Sequence, residues 1–201
     1  FNHDYVEQLG HALLGNGDQW QRGAGYLRMA AKGLMFRGPT IFQAIALAYE
    51  RVGDVPAVKT YLQQVIRAGM SLGVGKMDTQ QKEVYFATVK RLADEAEKNG
   101  DLDTAIANSN LLTQSEACGI ETFRKLADLY ERKGDLLAAL RLTETGLAYN
   151  GKDKDLLERK EFCYSKIEPE ALKQISDEVR PYFDVEYCKR CLLYTSDAAD
   201  E

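Results

Sequence analysis

Tyr49–Asp54 (YERVGD) and Tyr130–Asp135 (YERKGD) are near copies of one hexapeptide, and they decide the fold. In each copy, a stretch of helix-forming residues ends at a glycine, and an aspartate comes directly after that glycine. Glycine ends helices because it adopts the left-handed backbone region without steric cost. Aspartate starts helices because its carboxylate accepts hydrogen bonds from the free amides of the first turn. Each hexapeptide therefore predicts a tight turn between two helices.

The same Gly-Asp pair occurs twice more, at Gly17-Asp18 and Gly100-Asp101, so the chain carries it four times. The glycines at 100 and 134 lie 34 residues apart, a period typical of stacked helix–turn–helix repeats. Before Gly134, the residues Phe123, Leu126, Ala127 and Tyr130 follow the i, i+3, i+4, i+7 spacing of one helical face. The pattern predicts paired helices that bury one face against their neighbours.

These residues resemble the tetratricopeptide repeat (TPR) family, which places a Leu-small pair, an aromatic residue, a glycine and a second small residue in this order. The resemblance covers approximately residues 5–150, and the family's usual proline at the end of the repeat is missing. The resemblance implies an all-α fold, a right-handed α-solenoid of antiparallel helix pairs. The residues that carry the motif are Tyr49, Gly53, Gly100, Ala105, Tyr130, Gly134 and Ala139.

We expect four helix pairs in residues 1–150, with residues 69–81 as an insertion before the third pair because Gly53 and Gly100 are 47 residues apart. The predicted helices cover 4–14, 21–36, 40–52, 55–68, 79–99, 102–113, 120–133 and 136–149. Residues 151–190 would form a degenerate fifth pair, with helices at 154–167 and 169–179, and the array would continue beyond it.

The last eleven residues, 191–201, resemble the translation of a sequencing-library adapter, so we expect them to be an artefact. Because Cys191 belongs to this segment, we do not interpret the CxxC formed by Cys188 and Cys191 as a redox motif or a zinc site. The chain also starts at Phe1 without an initiator methionine, and we therefore expect it to be the middle of a longer protein.

The composition argues against several classes of function. The formal net charge is −5, without the basic stripe of a nucleic-acid-binding protein, and no apolar run approaches the ~20 residues of a membrane span.

The histidines His3 and His11 are too far apart for a metal pair, and the glycines near Lys76 do not have the phosphate-loop spacing. We predict no catalytic residue, metal or cofactor. The odd number of remaining cysteines fits either a reducing compartment, such as the cytoplasm, or simply buried thiols.

In TPR arrays the first helix of each pair lines a concave groove, and the resemblance implies where the corresponding residues lie here. No asparagine occupies the positions of the family's carboxylate clamp, so we do not expect capture of a peptide C-terminus. Lys90 with Asp94 and Arg124 with Asp128 are i,i+4 pairs that we expect to neutralise one another. The candidate partner-binding residues are Gln43, Leu47, Lys90, Asp94, Arg124, Asp128 and Glu131.

The leading hypothesis is a non-catalytic scaffold that binds a peptide or a partner protein in this groove, because helical-repeat arrays present extended surfaces. One alternative is a regulatory arm of a larger enzyme whose catalytic domain lies outside the chain. Another is an RNA-binding helical repeat, which the charge balance disfavours.

Overall fold

A computed structural model of the chain describes residues 2–116 and 118–168. Within these residues there are helices and short turns but no strand, which confirms the all-α prediction. The helices are α1 His3–Leu14, α2 Trp20–Gly33, α3 Gly38–Arg51, α4 Val55–Leu72, α5 Thr79–Lys98, α6 Leu102–Leu112, α7 Ile120–Lys133, α8 Leu136–Tyr149 and α9 Lys154–Lys166, with 3-10 turns at Met35–Arg37 and Val74–Lys76.

The helices pack in neighbouring pairs, α1 with α2, α3 with α4, and α7 with α8. Residue contacts divide the chain into two compact units, unit one from Phe1 to Glu95 and unit two from Ala96 to Glu201. The predicted boundary at residue 150 and the right-handed winding stay predictions. The second predicted helix of the fifth pair, the CxxC and the adapter-like tail lie outside the described residues.

Three helix junctions share one backbone geometry. Gly53, Gly100 and Gly134 adopt φ values of +74°, +76° and +86°, in the left-handed region. In each case the amide of the following aspartate donates to the carbonyl five residues before it, at 2.9–3.1 Å, which closes the preceding helix. The carboxylate of the same aspartate caps the next helix, by accepting from the amides of Ala57, Thr104 and Ala138 at 3.0–3.1 Å.

The remaining Gly-Asp pair, Gly17-Asp18, does not form such a junction, contrary to the sequence-based expectation. Gly17 is not among the glycines with positive φ, and α2 begins after Gln19, which makes no side-chain capping bond. The chain instead reverses through successive turns, with the amides of Asn16 and Gln19 bonding the carbonyls three residues before each. The extra residues before Trp20 give the chain enough length to turn without a left-handed residue.

The predicted insertion at 69–81 is only partly a loop. Helix α4 continues to Leu72 and ends at Gly73, whose φ is +84°. Gly69 lets α4 approach α5 closely, because a Cβ atom there would lie 2.3 Å from the ring of Tyr85. The extra helical turn and the short 3-10 turn after it account for the longer spacing between Gly53 and Gly100.

Each unit has its own apolar core. In unit one, Leu27, Ile41 and Ile45 are fully buried and pack with small residues of α2 and α3. In unit two, Leu129 packs with Ala105, and Leu140 packs with Ala139 and Cys163. Burial raises the pKa of the Cys163 thiol to about 11, so this thiol stays protonated at neutral pH. None of the described helices is long and apolar enough to cross a membrane.

Candidate functional site

The first helices of the pairs, called A helices here, border a cavity in unit one. Residues of α1, α3 and the start of α5, together with the 3-10 turn before α3, enclose about 450 Å³. We call this cavity the A-helix groove. Its lining consists of Glu7, His11, Arg37, Thr40, Gln43, Ala44, Leu47, Asp78, Gln80, Gln81 and Val84.

Gln43 and Leu47, two of the candidate binding residues, lie one helical turn apart on the wall of this groove. The side-chain oxygen of Gln43 is buried and has no hydrogen-bond donor among the described residues. Buried polar atoms in folded proteins are nearly always hydrogen-bonded, so an unsatisfied acceptor needs an explanation. Leu47 is 42% exposed, which is high for a leucine beside a cavity. The two side chains together offer an acceptor and an apolar surface.

Charged side chains of α1 and the 3-10 turn form one end of the groove. Arg37 donates to Glu7 at 2.5 Å, and its guanidinium lies 3.1 Å from a carboxylate oxygen of Asp4. The bond to Glu7 is the main cause of a raised pKa at Arg37, so the guanidinium remains charged at any physiological pH. His11 lies 3.9 Å from Glu7 on the other side. The charges at this end therefore largely neutralise one another.

The other end of the groove is held by the start of α5. The amide of Gln81 donates to the Asp78 carboxylate at 2.8 Å, and the amide of Asp78 donates back to the Gln81 side-chain oxygen at 3.0 Å. This is a reciprocal capping box. The side-chain nitrogen of Gln81 also donates to the carbonyl of Phe36 at 2.6 Å. These bonds attach the start of α5 to the turn before α3, so two sides of the groove are joined directly.

Lys90 and Asp94, which the sequence assigns to the same surface, do not line this cavity. Lys90 is exposed on α5, and Asp94 is half-buried and has a polar interaction within the chain. Their role in binding stays a prediction.

In unit two, Arg124 does not pair with Asp128, and the expectation from the i,i+4 spacing is wrong. Arg124 instead forms two hydrogen bonds with Asp153 and one of 2.9 Å with Glu121. The Asp153 side chain is only 2% exposed and also caps α9 through the amide of Leu156, at 3.1 Å. The bond from Arg124 is the main cause of a lowered pKa at Asp153. A buried carboxylate gains more from the guanidinium than the exposed one at Asp128 would.

The remaining candidates in unit two are also engaged within the chain. Arg159 of α9 contacts both Asp128, at 3.2 Å, and Glu131. Arg132 contacts Asp128 at 3.4 Å and Glu97 at 2.6 Å. We call these five side chains the ion-pair lattice. It joins the end of α5 to α7 and α9, so the predicted binding residues of unit two have intramolecular partners.

The residues of α1 and of the turn before α3 that border the groove were not predicted from the sequence. Glu7 and Arg37 lie 30 positions apart, and their contact has no local signal. His11, which lies on the A helix of the first pair, was likewise not among the candidate binding residues. The groove positions that the TPR resemblance implies for the later repeats correspond to Glu7 and His11 in the first repeat, so the sequence did contain a signal for these two residues.

Comparisons with known proteins add little. No known protein family and no curated protein matches the chain. One solved structure that resembles it is a protein of Podosopora anserina, assigned as a kinesin light chain with nearly identical TPR-like repeats. The two chains are 17% identical, the match covers 96% of this chain and 95% of the other, and the TM-score is 0.41.

The fold assignment therefore depends on the chain's own helices. Paired helices, small residues at the buried positions and repeated Gly-Asp junctions are what the TPR motif requires. In the residues that the structure describes, the chain is an all-α protein of paired helices, which is the fold that the resemblance to the TPR motif implies.

Proposed function

We propose that the chain is a protein-interaction module that binds a peptide segment of a partner in the A-helix groove of unit one. The observation that carries this proposal is the buried, unsatisfied oxygen of Gln43 on the wall of the groove. A peptide amide would supply the missing donor once the Gln43 side chain turns its oxygen, which is buried in the unliganded chain, toward the cavity. Leaving a buried acceptor unpaired costs about 1–3 kcal/mol, so a ligand that pairs it recovers that free energy.

The chemistry of the groove suggests what the peptide contains. Exposed Leu47 offers contact to an apolar side chain, and the mixed charges of Glu7 and Arg37 match a peptide with both signs of charge. The groove has no asparagine-based clamp, so an internal segment fits it better than a C-terminus. The capping box at Asp78 and Gln81 keeps the wall in place before binding, which limits the entropy lost on association.

The proposal is tested by selecting 12-residue peptides from a displayed library against the immobilised chain and titrating the selected peptides by fluorescence anisotropy. Leu47→Glu places a charge in the apolar part of the groove, and Gln43→Leu removes the acceptor. We expect Leu47→Glu to weaken binding about tenfold or more, which is the usual loss at a central interface residue. Gln43→Leu should weaken it less but also stabilise the unliganded fold.

Leu157→Glu is the matched control, because Leu157 is 39% exposed but lies on α9 in unit two. Selected peptides that bind Leu47→Glu and the wild-type chain equally would exclude the A-helix groove. The proposal covers both a separate scaffold and the regulatory arm of a larger enzyme. The reading frame beyond both ends of the chain distinguishes these two.

A further inference from the structure

Unit one concentrates positive charge on the second helices of its pairs, called B helices here. Helix α2 carries Arg22, Arg28 and Lys32, and helix α4 carries Lys59 and Arg67. Neither helix contains an aspartate or a glutamate. The whole chain has a formal net charge of −5, so this distribution departs from its average composition.

These two helices and the start of α3 enclose a cavity of about 550 Å³, which we call the B-helix cleft. Arg28 and Lys32 line it from α2, and Arg67 lines it from α4. Phe42 and Tyr61 contribute its aromatic surface. The cleft shares no lining residue with the A-helix groove, so the two can be tested separately.

The cations of the cleft are not neutralised within the described part of the chain. Arg28 donates to the hydroxyl of Tyr61 at 3.4 Å, and neither it nor Lys32 or Arg67 contacts a carboxylate among the described residues. Elsewhere the chain pairs many of its cations, as Arg124 and Arg159 show. Three unneutralised charges around one concavity produce a positive potential that attracts an anionic partner.

The rim of the cleft is apolar as well as basic. Met35, on the lining, is 75% exposed, and its neighbour Phe36 is 53% exposed. Met29 and Met70 lie on the two basic helices outside the lining of the cleft, and they are 44% and 60% exposed. Methionine is flexible and polarizable, and it recurs on surfaces that accept varied peptide side chains.

We propose that the B-helix cleft binds an acidic peptide segment that carries apolar side chains. Its carboxylates would meet Arg28, Lys32 and Arg67, and its apolar side chains would contact Met35 and the floor of the cleft. Single-stranded nucleic acid fits less well, because it requires aromatic faces on which bases can stack. Tyr61 already stacks on Tyr49, with ring centroids 5.3 Å apart, so one of its faces is occupied.

The probe is a fluorescein-labelled 12-residue peptide of glutamates with interspersed leucine and phenylalanine, titrated by anisotropy into the full chain. The comparison probes are the same peptide with lysine in place of glutamate, and a twelve-nucleotide oligouridylate. Of the three probes, we expect only the acidic peptide to bind saturably. The triple variant Arg28→Glu, Lys32→Glu, Arg67→Glu should weaken it about tenfold or more, since it replaces three attractive charge contacts with repulsive ones.

The matched control is Arg51→Glu, Lys76→Glu, Lys98→Glu, which makes the same change in net charge at exposed positions outside the cleft. It should weaken binding by less than about threefold, through long-range repulsion only. Equal losses in the two triple variants would overturn the proposal, as would tighter binding of oligouridylate or no binding of the acidic peptide. If circular dichroism shows that the cleft variant is unfolded, Arg28→Gln, Lys32→Gln, Arg67→Gln replaces it.

The variant Met35→Ser tests the apolar contribution. We expect it to weaken the acidic peptide severalfold while leaving the salt dependence of binding unchanged. An unchanged affinity would show that charge alone holds the peptide, and it would overturn the proposal that apolar side chains are part of recognition. Leu47→Glu, in the A-helix groove, should leave this binding unaffected.

Discussion

Units one and two use the same helix hairpin, yet their A helices present different surfaces. In unit one, α1, α3 and α5 border a cavity whose wall contains an unsatisfied amide oxygen. In unit two, the corresponding surface of α7 and α9 is crosslinked by the ion-pair lattice and by the bonds between Arg124 and Asp153. The hairpin defines which residues are buried, and it leaves the exposed positions free to line a cavity in one unit and to form ion pairs in the other.

The largest expected effect is the loss of stability on truncating a buried core residue. Comparing this loss between the units tests whether their hairpin cores are equivalent. Ile45 and Leu126 occupy the same position of the repeat, and both have 0% exposure. Truncating either one removes buried methyl groups and leaves a cavity, so Ile45→Ala and Leu126→Ala should each lower the free energy of unfolding by about 2–5 kcal/mol. Urea denaturation followed by circular dichroism at 222 nm measures both.

Similar losses would support equivalent cores. A loss below about 1 kcal/mol for only one of these variants would break the comparison, because that side chain would then not be packed as its burial implies.

The next effect concerns the buried carboxylate of unit two. Asp153→Asn keeps a side chain that can cap α9 but removes the charge that Arg124 binds. We expect a clear loss of stability, whereas Asp54→Asn, at an exposed cap that also accepts from the amide three residues on, should be nearly neutral. Equal stability of Asp153→Asn and the wild-type chain in urea denaturation would show that the Arg124 contact contributes nothing.

The same carboxylate predicts a pH dependence. Arg124 holds the pKa of Asp153 below its ordinary value of 3.8. The ionised group therefore stabilises the folded chain fully above that value, and this stabilisation is lost as the pH falls through the lowered pKa. Asp153→Asn should lose less stability than the wild-type chain between pH 4 and pH 2, an interval set by carboxyl titration. Parallel pH curves for the two proteins would contradict the assignment.

A smaller effect on stability distinguishes a glycine at a Gly-Asp junction from Gly17, which does not form such a junction. Gly134 has a φ of +86° and no neighbouring atom within 4 Å of an added Cβ, so Gly134→Ala costs only the strain of a left-handed alanine, about 1–2 kcal/mol. Gly17 also has open space, but its φ is not positive, so Gly17→Ala should change stability little or raise it. Thermal denaturation of the two variants measures the difference, and equal melting temperatures would contradict it.

The smallest effect concerns the ion-pair lattice. Arg159→Gln removes contacts to Asp128 and Glu131, and we expect a loss of at most about 1 kcal/mol, as is usual for partly exposed pairs. The loss should shrink in 1 M salt, where the Debye length is about 3 Å. Arg91→Gln, which removes a single pair with Glu50 in unit one, is the matched control and should cost less. A larger loss for Arg91→Gln would reverse the contrast between the units.

The helix pairs could be predicted from the sequence because their signals are local. Gly134 and Asp135 are adjacent, and together they specify where one helix ends and the next begins. The pairing of Arg124 could not be predicted in this way, since Asp153 lies 29 residues away and competes with nearer carboxylates. The local i,i+4 rule assigned the exposed neighbour, and burial of Asp153 decided the outcome.

The candidate site was predictable only in part, for the same reason. Gln43 and Leu47 were indicated by the resemblance to TPR arrays, since they occupy positions that face the groove in that family. That Gln43 has a buried oxygen without a donor depends on how three helices enclose one cavity, and no sequence pattern encodes this. The basic residues of α2 and α4 were not recognised from the sequence, because the net charge of the whole chain is negative, and the cleft between the two helices depends on how they pack.

The Gly-Asp junctions have a consequence for proteolysis. Between α7 and α8 only Gly134 and Asp135 lie outside the helices, and both of their amides are hydrogen-bonded. A protease must hold several extended residues in its active site, and such a crossover does not supply them without local unfolding. The connection from Leu14 to Trp20 has five residues and no shared junction geometry. Limited digestion of the native chain would therefore cleave in that connection before it cleaves at any of the three glycine turns.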